Sequence, residues 1–122
     1  MSKILVADDE PDMRSLLSDL LEEAGHVVTE AENGQMAYHQ IQREAPDVVL
    51  MDVLMPMMNG IQVLQRLRNE PGTLNLPVIL LTAFSLADEE SEILESPNTY
   101  HVTKPWRRGV VESAVNTALA RD

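Results

Sequence analysis

The chain contains no cysteine. Disulfide frameworks, thiolate zinc sites and thiol nucleophiles are therefore excluded, and cysteine usage says nothing of the redox compartment. Positive charge is also scarce. The sequence has 9 Lys and Arg against 20 Asp and Glu, a net charge of −11. Such a field repels polyanions, so direct binding to nucleic acid or to an anionic membrane is not expected. Long hydrophobic runs are missing as well: Val48-Val49-Leu50-Met51 is typical, and it is far too short to cross a bilayer. Met1-Ser2-Lys3 leads into a short apolar segment ending in two aspartates. A signal peptide needs a longer apolar region and a small-residue cleavage site, so none is expected and a cytoplasmic location is the default.

What is present is the composition of an ordinary globular domain. Hydrophobic residues make up 44% and charged residues 24% of 122 positions. That length predicts one domain over 1–122, with a core that needs neither disulfide nor structural metal. Most of the acid serves solubility; the remainder is free for a metal ion or a basic partner.

Short apolar runs alternate with amphipathic stretches. Lys3 to Ala7 predicts a buried strand, broken by Asp8-Asp9-Glu10-Pro11. Met13, Leu16, Leu17, Leu20, Leu21 and Ala24 then recur at helical spacing, with Asp9 or Glu10 as cap, Pro11 in the first turn and Gly25 as the stop. A second strand is expected near His26–Glu30, and a helix from Asn33-Gly34 to about Glu44 with Ala37, Ile41 and Ala45 inward. Val48 to Met51 reads as a central parallel strand, apolar on both faces, ending at Asp52. A helix with Ile61, Leu64 and Leu67 inward follows, then a strand Val78–Leu81 ending at Thr82. Ser85 and Asp88 suggest a capping box for a fourth helix carrying Leu86, Ala87, Ile93 and Leu94. A fifth strand, Tyr100 to Thr103, ends at Lys104-Pro105, and a last helix buries Val110, Val111, Ala114, Val115, Ala118 and Leu119. Five strands alternating with five helices imply a parallel sheet covered on both sides, an α/β architecture.

In open parallel sheets, ligands bind beyond the carboxyl ends of the strands, where the strand order reverses. This chain puts Asp8-Asp9, Asp52, Thr82 and Lys104 at four such ends. Each has a plain structural reading: a helix cap for Asp9, a turn residue for Asp52, a strand-end threonine, a surface lysine. All four at one edge is a different matter. Two unit charges ~4 Å apart repel by roughly 4 kcal/mol at an effective dielectric of about 20, and a raised pKa or a bound cation relieves that repulsion. An all-oxygen acidic pocket without His or Cys suits a hard cation such as Mg²⁺, which keeps room for phosphate oxygens. One carboxylate is then free to act as nucleophile toward a phosphoryl group.

The residues Asp8-Asp9, Leu50-Met51-Asp52-Val53-Leu54-Met55-Pro56-Met57-Met58-Asn59-Gly60, Thr82-Ala83 and Lys104-Pro105-Trp106, at these intervals, resemble the receiver domains of response regulators in two-component signalling. The resemblance covers essentially the whole chain. It implies a flavodoxin-like, doubly wound sheet of order 2-1-3-4-5. It implies that Asp52 accepts a phosphoryl group from a phosphohistidine on a sensor histidine kinase or phosphotransfer protein, or from a small donor such as acetyl phosphate. Asp9, Asp52 and the backbone carbonyl of Leu54 would bind Mg²⁺, with Asp8 acting through a metal-bound water. Lys104 would neutralise the transferring oxygens, and the Thr82 hydroxyl and Ala83 amide would hold the group after transfer. The Lys104-Pro105 peptide would be cis. Leu54 and Phe84 would flank and shield the acyl phosphate.

Phosphorylation would draw Thr82 inward and let a switch residue on the fifth strand move toward the interior, altering the surface of the fourth helix, fifth strand and last helix for a downstream protein. That switch position is usually Tyr or Phe; here it is His101, while Tyr100 belongs to the opposite face. The fourth helix carries Asp88, Glu89, Glu90, Glu92 and Glu95, with no Lys or Arg between Phe84 and Lys104. The mixed-charge dimer face of many transcriptional regulators is therefore not expected. The resemblance thus implies a signalling switch whose only catalysis is its own phosphorylation and dephosphorylation. A second reading is a pseudo-receiver, a protein-binding module that does not use phosphorylation. A phosphohydrolase of the aspartate-nucleophile type is disfavoured, because it needs Asp-x-Asp after the first strand and a cap domain.

Overall fold

The computed structural model describes residues 2–82 and 96–120. Five runs become parallel strands, of which the first, third and fourth are rich in Val, Ile and Leu: β1 (Lys3–Ala7), β2 (Val27–Ala31), β3 (Val48–Asp52), β4 (Val78–Thr82) and β5 (Thr99–Thr103). They form one sheet in the order β2-β1-β3-β4-β5. Every residue of β3 and β4 is buried, as expected for central strands covered on both faces. The outer strands β2 and β5 keep exposed positions.

Side chains along a strand alternate between faces, and that alternation divides the core in two. Leu5, Val49, Met51 and Leu80 pack with α2 (Gly34–Glu44) and α3 (Gly60–Arg68) through Ala37, Ile41, Ile61, Leu64 and Leu67. Ile4, Val6, Leu50, Ile79 and Leu81 pack on the other side with α1 (Pro11–Glu23) and the last helix (Arg108–Ala120). Each fully buried Leu or Ile contributes roughly 1.5–3 kcal/mol over an exposed one. Four helices are present among the described residues. The expected fourth helix of the sequence, with its Ser85–Asp88 capping box, falls on residues 83–95 and lies outside the described residues.

Local signals explain most helix ends. The Asn33 side chain accepts the Met36 N–H at 2.8 Å and opens α2. Asn59 and Gln62 form a reciprocal capping box at α3, both bonds 2.9 Å. At α1 the expectation is corrected: Glu10 is the N-cap residue but makes no side-chain cap, and Asp9 is not the cap. The Glu10 N–H instead donates to Asp8 Oδ1. Four positions expected inside lie outside. Leu16 is 54% and Val110 49% exposed, because each sits at the margin of a narrow inward stripe filled by Leu17, Leu20 and Leu21, or by Val111 and Val115. Ala45 is exposed because α2 ends there in a left-handed residue, φ 49°. Ala24, likewise, is the exposed C-cap of α1.

Two close approaches fix the loop after β3. A Cβ at Gly34 would lie 1.6 Å from the Met58 carbonyl oxygen, and one at Gly60 would lie 2.5 Å from the Asp52 carbonyl oxygen. Only glycine lets α2 and α3 start so near this loop. No described helix is long and apolar enough to cross a membrane.

Candidate functional site

Because the strands are parallel, their carboxyl ends share one edge. Strand order reverses between β1 and β3, and Asp8 and Asp52 flank that reversal. Asp52 closes β3, Thr82 closes β4, and Lys104 follows β5. A cleft of about 410 Å³ opens there, lined by Asp9, Glu10, Asp52, Leu54, Thr82 and Lys104.

The geometry is that of a charged pocket with spare acceptors. Lys104 Nζ donates to Asp52 Oδ2 at 3.0 Å, and both side chains are largely buried. The Leu54 N–H approaches the other oxygen, Asp52 Oδ1, at 3.4 Å. Asp8 is fully buried behind the cleft; its Oδ1 accepts the Glu10 N–H at 2.9 Å, while Oδ2 has no partner among the described residues. One carboxylate oxygen from each of Asp8, Glu10 and Asp52 lies within 4.8 Å of the others.

The charges perturb one another. Burial, helped by the Asp52 charge, pushes the Asp8 carboxyl above its ordinary value, and the Glu10 N–H opposes that rise only in part. Partial burial works against the Lys104 ammonium, but its hydrogen bond to Asp52 and the charges of Asp52, Asp8 and Glu10 outweigh it and hold the lysine above its usual range. The pocket therefore keeps Lys104 charged beside a cluster of carboxylates. Three carboxylates, one of them with a buried oxygen that has no partner among the described residues, fit a hard divalent cation.

The sequence places Asp8, Asp52, Thr82 and Lys104 at one edge, and the structure brings them there. Asp9 is exposed and lines the cleft, but its carboxylate is not within the three-carboxylate cluster. Glu10 stands in that cluster instead, a residue that sequence reasoning treated only as a cap. The signal for it was weak: Asp8, Asp9 and Glu10 are consecutive acids, and only the turn made by the Glu10 N–H on Asp8 decides which carboxylates meet. Ala83 and Phe84 lie outside the described residues. His101 is exposed on β5 opposite Leu80, whereas Tyr100 packs into the core beside α1 and the last helix. The Lys104–Pro105 peptide is cis.

The sequence pattern of the family described as "Response regulator receiver domain" matches residues 4–116. The chain belongs to this family. The receiver is 36% identical to Protein PilH of Pseudomonas aeruginosa, over 98% of this chain and 99% of that protein. It is 34% identical to the phosphate regulon transcriptional regulatory protein PhoB of the same organism, over 97% of this chain but 52% of PhoB. The chain thus spans almost all of one relative and about half of the other. Among solved structures, the signal receiver domain of a signal transduction histidine kinase from Syntrophus aciditrophicus superposes with a TM-score of 0.88 at 32% identity, covering 98% of this chain and 91% of that one. The receiver is a phosphoacceptor module of two-component signalling, a switch rather than a metabolic enzyme.

Proposed function

We propose that Asp52 is the phosphoacceptor of this receiver and that its donor is a phosphohistidine on a sensor histidine kinase or a phosphotransfer protein. One Asp52 carboxylate oxygen bonds to phosphorus as the P–N bond of the phosphohistidine breaks, and the imidazole nitrogen leaves with that electron pair. The Lys104 ammonium, 3.0 Å from Asp52, stands ready to neutralise the transferring oxygens. Magnesium would be held by oxygens drawn from Asp8, Asp9, Glu10 and Asp52 with the Leu54 carbonyl, and when bound it supplies positive charge to the phosphoryl group. The Thr82 hydroxyl and the Ala83 amide receive the group after transfer.

The output surface in this reading comprises the segment between β4 and β5, β5 itself and the last helix, with His101 as the residue that responds. A downstream protein reads that surface, and nucleic acid and membrane are not direct partners of so acidic a chain. Cytoplasmic location and the single domain over 1–122 belong to the same reading.

The observation that carries the proposal is the Asp52–Lys104 pair beside a buried Asp8 oxygen that has no partner among the described residues. The test is a titration with beryllofluoride, a phosphoryl mimic, with and without Mg²⁺, followed by amide NMR. Mg²⁺-dependent shifts at Asp52, Thr82 and Lys104 that spread to His101 are expected. Shifts confined to the pocket would leave the acceptor role intact and remove His101 from the relay. No binding in either condition would sink the proposal in favour of a pseudo-receiver.

A further inference from the structure

Arg14 is not among the described residues that line the cleft, yet it grips the loop that builds it. Its Nη1 donates to the Asp8 carbonyl oxygen at 2.7 Å, and its Nε donates to Glu30 Oε1 at 3.0 Å. The Arg14 side chain is only 16% exposed. Its own N–H closes the first turn of α1 on the Glu10 carbonyl at 3.0 Å. One side chain therefore ties together the end of β1, the start of α1 and the edge strand β2. The Asp8 N–H is taken too, by the Ala31 carbonyl at 3.1 Å. Both backbone groups of Asp8 are held, while its Oδ2 has no partner among the described residues.

Three carboxylates held together repel, and an unrestrained loop would relieve the repulsion by splaying. A guanidinium bonded to one of those carboxylates would restrain the loop but would occupy an oxygen that a cation needs. Arg14 bonds a carbonyl instead, and Glu30 balances its charge. The loop is thus restrained from behind, with no acceptor consumed and no net positive charge added near the cluster.

We infer that Arg14, with Glu30, is a positioning pair that holds the acidic β1–α1 loop in its cation-binding arrangement and so raises the affinity of the receiver for divalent metal. This rests on the reading that Asp8, Glu10 and Asp52 bind Mg²⁺. Partners behind the metal ligands commonly alter affinity by about ten- to a hundredfold.

The test is Mg²⁺ affinity by amide NMR titration of the wild type, Arg14→Gln, Glu30→Gln and Tyr38→Phe, the last a remote control for loss of stability. Arg14→Gln should weaken Mg²⁺ binding roughly tenfold and shift the Glu10 amide resonance before any metal is added. Glu30→Gln should weaken it less, by exposing the unbalanced guanidinium charge. Tyr38→Phe should leave the affinity unchanged. The sign is decisive, because if Arg14 acted only as a nearby charge its removal would tighten binding. Equal or tighter binding by Arg14→Gln with the Glu10 amide unmoved would overturn the inference while leaving the metal site standing. Should Arg14→Gln not fold, unchanged affinity in Glu30→Gln would overturn it. No Mg²⁺ binding by the wild type would overturn the metal-site reading and the inference together.

Discussion

Glu70 and Asp8 sit in opposite circumstances. Glu70, just beyond α3, accepts hydrogen bonds from the Tyr38 hydroxyl and from Gln42 Nε2, the latter at 2.9 Å. Arg66 covers the Tyr38 ring with its guanidinium 4.2 Å from the centroid. The bond to Glu70 raises the Tyr38 pKa by favouring the neutral phenol, with burial adding to it. Each partner in that cluster is used to clamp α2 to α3. Asp8 has one satisfied oxygen and one without a partner among the described residues, with Asp52 and Glu10 close by. The first arrangement spends its polar groups on the fold, and the second keeps acceptors in reserve for a ligand. The same fold thus separates satisfied polar groups, which stabilise, from unsatisfied ones, which cost stability until a cation arrives.

The two regions meet at Gly34, where the helix carrying Tyr38 starts against the loop that follows Asp52. Gly34→Ala should have the largest effect. The new Cβ meets backbone, which cannot rotate away, so a loss of about 3 kcal/mol is expected in denaturant unfolding, with Mg²⁺ affinity reduced as well. Stability lost with metal affinity intact would show that the two regions are independent. Lys104→Ala should follow. It leaves the buried Asp52 beside Asp8 without its cation, a loss of about 2 kcal/mol at neutral pH, and it should slow phosphorylation by small donors.

Asp8→Asn should go the other way. In the absence of metal it removes a charge from the cluster and should stabilise the receiver by about 1 kcal/mol, while erasing most of the stabilisation that Mg²⁺ gives the wild type. The pH dependence follows from the raised Asp8 pKa. The folded state binds this proton more tightly than the unfolded chain, whose value is near 3.8. Ionised Asp8 therefore costs stability at every pH above its folded pKa. That cost fades as pH falls through the folded pKa toward 3.8. The gap between Asp8→Asn and the wild type should be widest at neutral pH and close in acid, as read by metal-free thermal melts. The smallest effect belongs to Tyr38→Phe: a modest fall in melting temperature, with the Mg²⁺ titration unchanged.

The strands and most of the site were legible in the sequence because strand ends carry their own punctuation, while the strand order followed only from the family resemblance. Asp52 and Thr82 each close a short apolar run, Lys104 follows the more polar Thr99–Thr103, and parallel topology does the rest. Position within an amphipathic stripe was harder to read. Leu16 and Val110 are apolar but lie at the stripe margin, while Ser18 is buried on α1 among leucines. Periodicity gives the direction of a face and not its width. Glu10 and Arg14 escaped for a different reason. Their roles depend on a turn at Asp8 and on a contact across sixteen positions to Glu30, which spacing along one chain does not reveal.

The most direct test of the central claim is intact-mass and peptide mass spectrometry after incubation with acetyl phosphate. The wild type with Mg²⁺ should gain one phosphoryl group, mapped to Asp52. It should gain none after chelation of the metal, and Asp52→Asn should gain none in either condition. Phosphorylation of Asp52→Asn to the wild-type level, or of the wild type equally without metal, would contradict the account.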